Sequence, residues 1–239
     1  MELIWEGIKK AFILIFSGNK EILEIILLTL RVSGIAVIIS MVMGIPIGLV
    51  VGLNNFKAKR FVVVVINTGM GLPPVAAGLF VSLFLWRSGP LGLLGLMYTP
   101  TAMIIAQVLI ATPIISGVTL AAVQQINTKL KYQALSLGAN RLQVLWILVK
   151  EAKLPTLAAI MAGFGGIISE VGAVMMVGGN IKGQTRVLTT ATVQNVRMGN
   201  LDIAIALVII LLVLAFFINV ILTLIQQKEN ITWAQRFWK

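Results

Sequence analysis

Residues 127–155, NTKLKYQALSLGANRLQVLWILVKEAKLP, decide how the rest of this chain is read. They are the one long polar interruption in the middle of a very apolar sequence. Leu130, Ala134, Leu137, Leu142, Leu145 and Leu148 recur at steps of three to five residues, while Lys129, Lys131, Arg141, Lys150 and Lys153 interleave with them. That pattern predicts amphipathic helix broken near Gly138, because a sharp turn between two short helices favours a residue that tolerates positive φ. A basic amphipathic piece set between apolar runs suits docking to another protein at a membrane surface.

Around this stretch the composition is that of a bilayer protein. Of 239 residues 59% are hydrophobic and only 11% charged, and the mean hydropathy is +1.01, more than a water-soluble core of this size needs. The expected fold class is an all-α integral membrane protein. A net charge of +11 suggests nucleic acid at first sight, but the basic residues sit in short loops between apolar runs. This is the positive-inside pattern, so no nucleic-acid partner is expected. The chain has no Cys and no His, which excludes thiolate metal sites and disfavours a proton relay.

Five spans are expected. The first starts near Glu24 and holds the uncharged run from Val32 to Leu53, with Pro46 as a candidate kink. The second runs from Phe61 to Trp86, 26 uncharged residues. Within it GLPPVAAGL, Gly71 to Leu79, sets Pro73 and Pro74 among small residues; a broken backbone at membrane depth needs shelter by protein or a water-filled path. A packed kink and a pore lining are both compatible with it. Thr101–Val123 is the third span, Leu154–Val177 a Gly- and Ala-rich fourth, and Ile203–Ile225 a plain fifth, after a polar loop over 178–202. Ahead of them, residues 1–17 alternate Leu3, Ile4, Ile8, Phe12 and Ile15 with Glu2, Glu6, Lys9 and Lys10, and their apolar run is too short to cross. An interfacial helix is expected there, and not a cleaved signal peptide.

Loop charges set the orientation. The 54–60 and 124–155 loops and the tail after Gln226 hold 3, 5 and 3 Lys and Arg, against 1 and 3 in the 87–100 and 178–202 loops. The carboxyl terminus and the 127–155 stretch are therefore expected in the cytoplasm and the amino terminus outside, in a multi-pass protein of the cell membrane.

Nothing in the chain suggests catalysis, a cofactor or a metal. It has no GxxxxGK[ST] nucleotide loop, no ligand cluster and no nucleophile beside a base, so it is not expected to be an enzyme. Glu170 is the one acid inside a span, a functional candidate by position. A structural role is also open to it: holding the bend before the Gly-rich turn by pairing with backbone N–H groups or a base such as Arg31. In the 178–202 loop Lys182, Arg186 and Arg197, with the backbone N–H groups of Gly178 and Gly179, are candidates for attracting an anion by charge and hydrogen bonding; solvated loop charges are the plainer alternative.

The helix break at Ala134-x-x-x-Gly138, followed by Leu154-Pro155, resembles the EAA loop of ABC importer permeases, whose pattern is roughly EAAxxxG, about nine residues, then IxLP. Two departures stand out: Tyr132-Gln133-Ala134 replaces Glu-Ala-Ala, and the step from Gly138 to Pro155 is about one helical turn longer. Thr29–Gly52, GLPPVAAGL and Ser169–Ala191 (SEVGAVMMVGGNIKGQTRVLTTA) resemble the molybdate and tungstate permease group. The LTT form at Leu188-Thr189-Thr190 is more like tungstate permeases than the LPLA form of molybdate permeases.

The resemblance implies an ABC permease subunit for tungstate, with molybdate or another oxyanion as the alternative and a self-sufficient secondary transporter a more distant one. It implies a homodimer in membrane lipid, a dimer of cytoplasmic ABC ATPase subunits and an extracytoplasmic oxyanion-binding protein. Tyr132, Gln133, Ala134, Leu137, Gly138, Ala139 and Pro155 become candidates for ATPase coupling. Pro73, Pro74, Glu170, Gly172, Gly178, Gly179, Asn180, Thr185 and Arg186 become candidates for the translocation path or gate. The expected organisation is an N-terminal helix over 1–20, a transmembrane domain over 21–226 with its coupling loop at 127–155, and a cytoplasmic tail over 227–239.

Overall fold

The computed structural model describes residues 2–237, and among them it is all helix, with no strand. The helices are α1 (Glu2–Phe16), α2 (Lys20–Leu53), α3 (Lys59–Met70), α4 (Pro74–Leu85), α5 (Pro100–Gln124), α6 (Thr128–Ser136), α7 (Arg141–Glu151), α8 (Lys153–Ile168), α9 (Gly172–Gly178), α10 (Leu188–Arg197) and α11 (Leu201–Phe237). The tail expected over 227–239 continues α11 as far as Phe237. Its side chains from Lys228 onward lie outside the described residues.

Three helices, α2, α5 and α11 up to Gln227, are each long and apolar enough to cross a bilayer. The other two expected spans are bent pairs: α3 and α4 meet at 101°, α8 and α9 at 58°. The second span expected over 61–86 is interrupted where its two prolines stand: α3 ends at Met70 and Pro74 opens α4, so the break is a bend between two helices and not a kink within one. Pro46, by contrast, lies inside α2 without ending it.

α5 is the axis of the bundle. It packs against α2, α3, α4, α8 and α9, and its Met103, Ala106, Ala111 and Ile115 are almost fully buried. The α2 contact is close because Gly44, Gly48 and Gly52 repeat every fourth residue and all face α5; a Cβ added at Gly48 would lie 2.6 Å from the Ser116 carbonyl oxygen. Small residues at such spacing let helix backbones approach where no hydrophobic effect drives association.

The amino-terminal helix does not lie apart from the bundle. α1 packs along α11, with Ala11 buried against that side, and Lys10 is ion-paired to Asp202 at the start of α11. Residues 178–202, expected as loop, contain α10. Its first turn is buried at Leu188, Thr189, Thr190 and Ala191, and the Thr190 Oγ1 accepts from the Val187 N–H at 3.1 Å, a local cap.

Candidate functional site

The 127–155 stretch folds as the helical hairpin its periodicity predicts. Asn127 caps α6 through the Lys129 N–H at 2.9 Å. Gly138 then adopts φ +84° with open space around it, and its N–H bonds the Leu135 carbonyl at 3.0 Å while that of Ala139 bonds Ala134. Asn140 and Gln143 form a reciprocal capping box at 2.8 and 2.9 Å that starts α7. The turn is therefore fixed by backbone geometry and caps.

Ala134 and Val144 turn inward, but Tyr132, Leu137, Leu142 and Trp146 are all more than half exposed, Leu137 at 87%. Around Gly138, Ala139 and Asn140 a crevice of about 610 Å³ opens between Leu137, Leu142 and Trp146. The Lys150 ammonium sits 3.3 Å from the Trp146 ring centroid, holding that ring in place by cation–π attraction. An apolar ridge with Lys150 beside it is thus left exposed at the turn of the hairpin.

Within the bundle the half-helices that follow the two breaks, α4 and α9, come together. Pro74 opens α4, with the Pro73 carbonyl accepting from the Ala77 N–H at 3.1 Å, and α4 lies against α9, the second half of the other broken span. Gly172 meets Val75, and Gly78 meets Ala173 backbone to backbone. The α8–α9 break is polar, and its freed backbone groups find partners, although the buried Gln107 Oε1 accepts no hydrogen bond among the described residues. Glu170 Oε1 accepts from the Ala173 N–H at 3.0 Å. The Glu170 carbonyl accepts from Thr189 Oγ1 at 3.0 Å, and the Ile167 carbonyl from Gln107 Nε2 at 3.1 Å. Neighbouring helices thus take up the backbone groups that the break frees at membrane depth.

Glu170 accordingly caps α9; it does not pair with Arg31, whose side chain lines a separate cleft with Lys182 and Arg186. The suggestion that the Gly178 and Gly179 N–H groups face an anion also needs correcting for Gly179, whose N–H is spent on the Met175 carbonyl at 3.0 Å. Thr185 is wholly buried, donating to the Gly178 carbonyl at 2.5 Å and accepting from the Ile181 N–H at 2.9 Å. Asn180 takes φ +53° and donates to Gln194 Oε1 at 2.8 Å. These residues knit the turn after α9 together. Arg186 bridges it to α2 through Glu21 at 3.7 Å, while Arg197, in the last turn of α10, is exposed and apart from that cleft.

Two participants escaped the reading from sequence. Gln107 is the only amide in the third span, a signal that was available. Tyr98 was not flagged by any motif: at φ +61° it donates its N–H to the Val177 carbonyl at 2.9 Å and sets its ring over Gly179, where a Cβ would meet it at 2.8 Å. A non-glycine residue in that region is held by its surroundings.

The family model for the binding-protein-dependent transport system inner membrane component matches residues 44–230, most of the chain and all of the hairpin and breaks just described. The chain belongs to this permease family. The permease is 40% identical to the tungstate uptake system permease protein TupB of Peptoclostridium acidaminophilum, across 95% of this chain and all of that one. It is 42% identical to a probable anion ABC transporter permease protein of Haloferax volcanii, across 83% of this chain and 88% of that one. Among solved structures, a bacterial ABC transporter involved in import of the acidic polysaccharide alginate matches with a TM-score of 0.72 over 92% of this permease and 83% of that chain. At 21% identity it supports the fold alone.

Proposed function

We propose that this permease carries tungstate inward as the membrane subunit of an ABC importer, with ATP hydrolysed by a separate subunit. The observation that carries the reading is the identity of 40% to TupB of P. acidaminophilum over the full length of that protein. The likeness to the H. volcanii anion permease supports an anionic cargo independently.

In this reading two copies pair around a central path, since one short chain encloses none by itself. The apolar ridge with Tyr132, Gln133, Ala134, Leu137, Gly138 and Ala139, braced by Pro155 at the root of α8, is the seat of a cytoplasmic ATPase. A binding protein hands cargo to the opposite face, in keeping with the family's description. The loop charges orient the hairpin and the carboxyl terminus toward the cytoplasm and the amino terminus outward, with α1 at the outer interface. ATPase closure, transmitted through α7 and α8, turns the α4–α9 pair as a body; Pro73, Pro74, Glu170 and Gly172 are the joints of that motion, and Gly178, Gly179, Asn180, Thr185 and Arg186 stiffen its outer end.

The test is uptake of tungstate and molybdate at nanomolar concentration, read by elemental mass spectrometry in cells with and without this chain. Loss of tungstate uptake on deletion is expected. Loss of molybdate uptake alone reassigns the cargo, and loss of neither overturns the oxyanion reading.

A further inference from the structure

The outer ends of α2 and α5 and the loop after α9 enclose a cleft of about 340 Å³, lined among others by Glu21, Glu24, Arg31, Lys182, Gln184 and Arg186. Three bases face two acids there, and the pairing is uneven. Glu21 engages both Lys182, at 2.7 Å, and Arg186, at 3.7 Å. Arg186 is largely buried, at 17% side-chain exposure, yet its Nε has no acceptor. Among the described residues Arg31 makes no hydrogen bond or ion pair. It stands at the outer end of the uncharged run that begins at Val32, with the apolar Leu27 and Leu28 on the same wall of the cleft.

A buried guanidinium with an unused N–H, next to an unpaired one, is an incomplete arrangement. Guanidinium forks match the oxygen pairs of tetrahedral oxyanions, and such charge-assisted bonds are about twice as strong as neutral ones. We propose that the cleft binds a tetrahedral oxyanion group, held by Arg31, Arg186 and Lys182, with the Gln184 amide as a further donor. The group is either a free oxyanion or the phosphate of an anionic lipid whose chains descend along Leu27 and Leu28. On binding it takes the place of the Glu21 carboxylate at Lys182 and Arg186. Glu24 opposes it from the α2 wall. The site does not depend on tungstate being the cargo; only its outward placement rests on the orientation proposed above.

The experiment uses the permease purified in detergent with its ATPase. Sodium tungstate is titrated by calorimetry, and short-chain phosphatidylglycerol by native mass spectrometry against phosphatidylcholine as the zwitterionic control. Saturable binding of one anion per permease chain is expected, weakened about tenfold in R31Q and in R186Q, the worth of one charge-assisted hydrogen bond. E24Q, which removes an opposing charge and no donor, is expected to strengthen binding and shows that a change in affinity is not a folding defect. Binding of tungstate supports the proposal with a free oxyanion, and preference for phosphatidylglycerol over phosphatidylcholine supports it with a lipid. Binding of neither anion, or affinities equal in wild type, R31Q, R186Q and E24Q, overturns it. Failure of tungstate uptake in cells overturns the cargo reading and leaves the lipid arm standing.

Discussion

Gly78 of α4 and Ala173 of α9 are so close that a Cβ built on Gly78 would lie 2.6 Å from the Ala173 Cα. The two half-helices therefore touch backbone to backbone, and each belongs to a different broken span. A motion of one is passed to the other without slack, because a packed contact of this kind does not compress. Substitution G78A is expected to cost about 1–3 kcal/mol of overpacking, more than the roughly 1 kcal/mol that alanine gains over glycine in a helix. Its thermal midpoint in detergent should fall. At Gly165, which has open space where a Cβ would be, the same substitution should leave the midpoint level or raise it.

Gly138 supplies the opposite kind of constraint. Nothing crowds it, but its φ of +84° is closed to proline, and its N–H is bonded to the Leu135 carbonyl. G138P should re-aim α7 relative to α6 and move Leu137 and Trp146 out of register with a docked partner. Copurification of the ATPase is expected to drop at least about tenfold, the effect of some 1.4 kcal/mol. The thermal midpoint of the isolated permease should stay within a degree or two, because the hairpin packs little against the bundle. Undiminished copurification would remove the hairpin from the ATPase interface.

For Glu170 the geometry separates charge from hydrogen bonding. Its carboxylate oxygen accepts from the Ala173 N–H, a task that a glutamine oxygen also performs. E170Q is expected to keep near wild-type tungstate uptake. E170L leaves that N–H without an acceptor at membrane depth, costing about 1–3 kcal/mol, and should lower both stability and uptake. An uptake defect in E170Q equal to that in E170L would mean that the charge itself is required.

The hairpin was legible in the sequence because its signals are local: a periodicity and one glycine. The breaks at Pro73–Pro74 and at Glu170 were visible too, as punctuation. Their angles were not, since 101° and 58° are set by what α4 and α9 pack against, a tertiary matter. The helix α10 was read as loop because Thr189, Thr190, Thr192, Gln194 and Asn195 look polar, whereas several of those polar atoms are satisfied locally, as Thr192 is by the Leu188 carbonyl at 2.8 Å. Arg31 was offered to Glu170 on charge alone. The Ala173 N–H, only three residues from Glu170, supplied the acceptor's partner at far lower entropic cost.

The tie between α2 and α10 is the simplest to test by single-atom changes. Thr29 is 3% exposed; its hydroxyl donates to the Ile25 carbonyl at 2.7 Å and accepts from the Leu188 N–H at 3.0 Å. That N–H belongs to the first turn of α10, where no intrahelical acceptor exists. T29V keeps the volume and removes the acceptor, stranding a buried donor at a cost of about 1–3 kcal/mol. T29S keeps the oxygen and loses only a methyl, worth about 1 kcal/mol. The expected order of thermal midpoints is wild type, then T29S, then T29V, and amide exchange at Leu188 should quicken in T29V alone. Exchange at Leu188 that is equally slow in all three would mean that the N–H finds another acceptor and that Thr29 does not anchor α10.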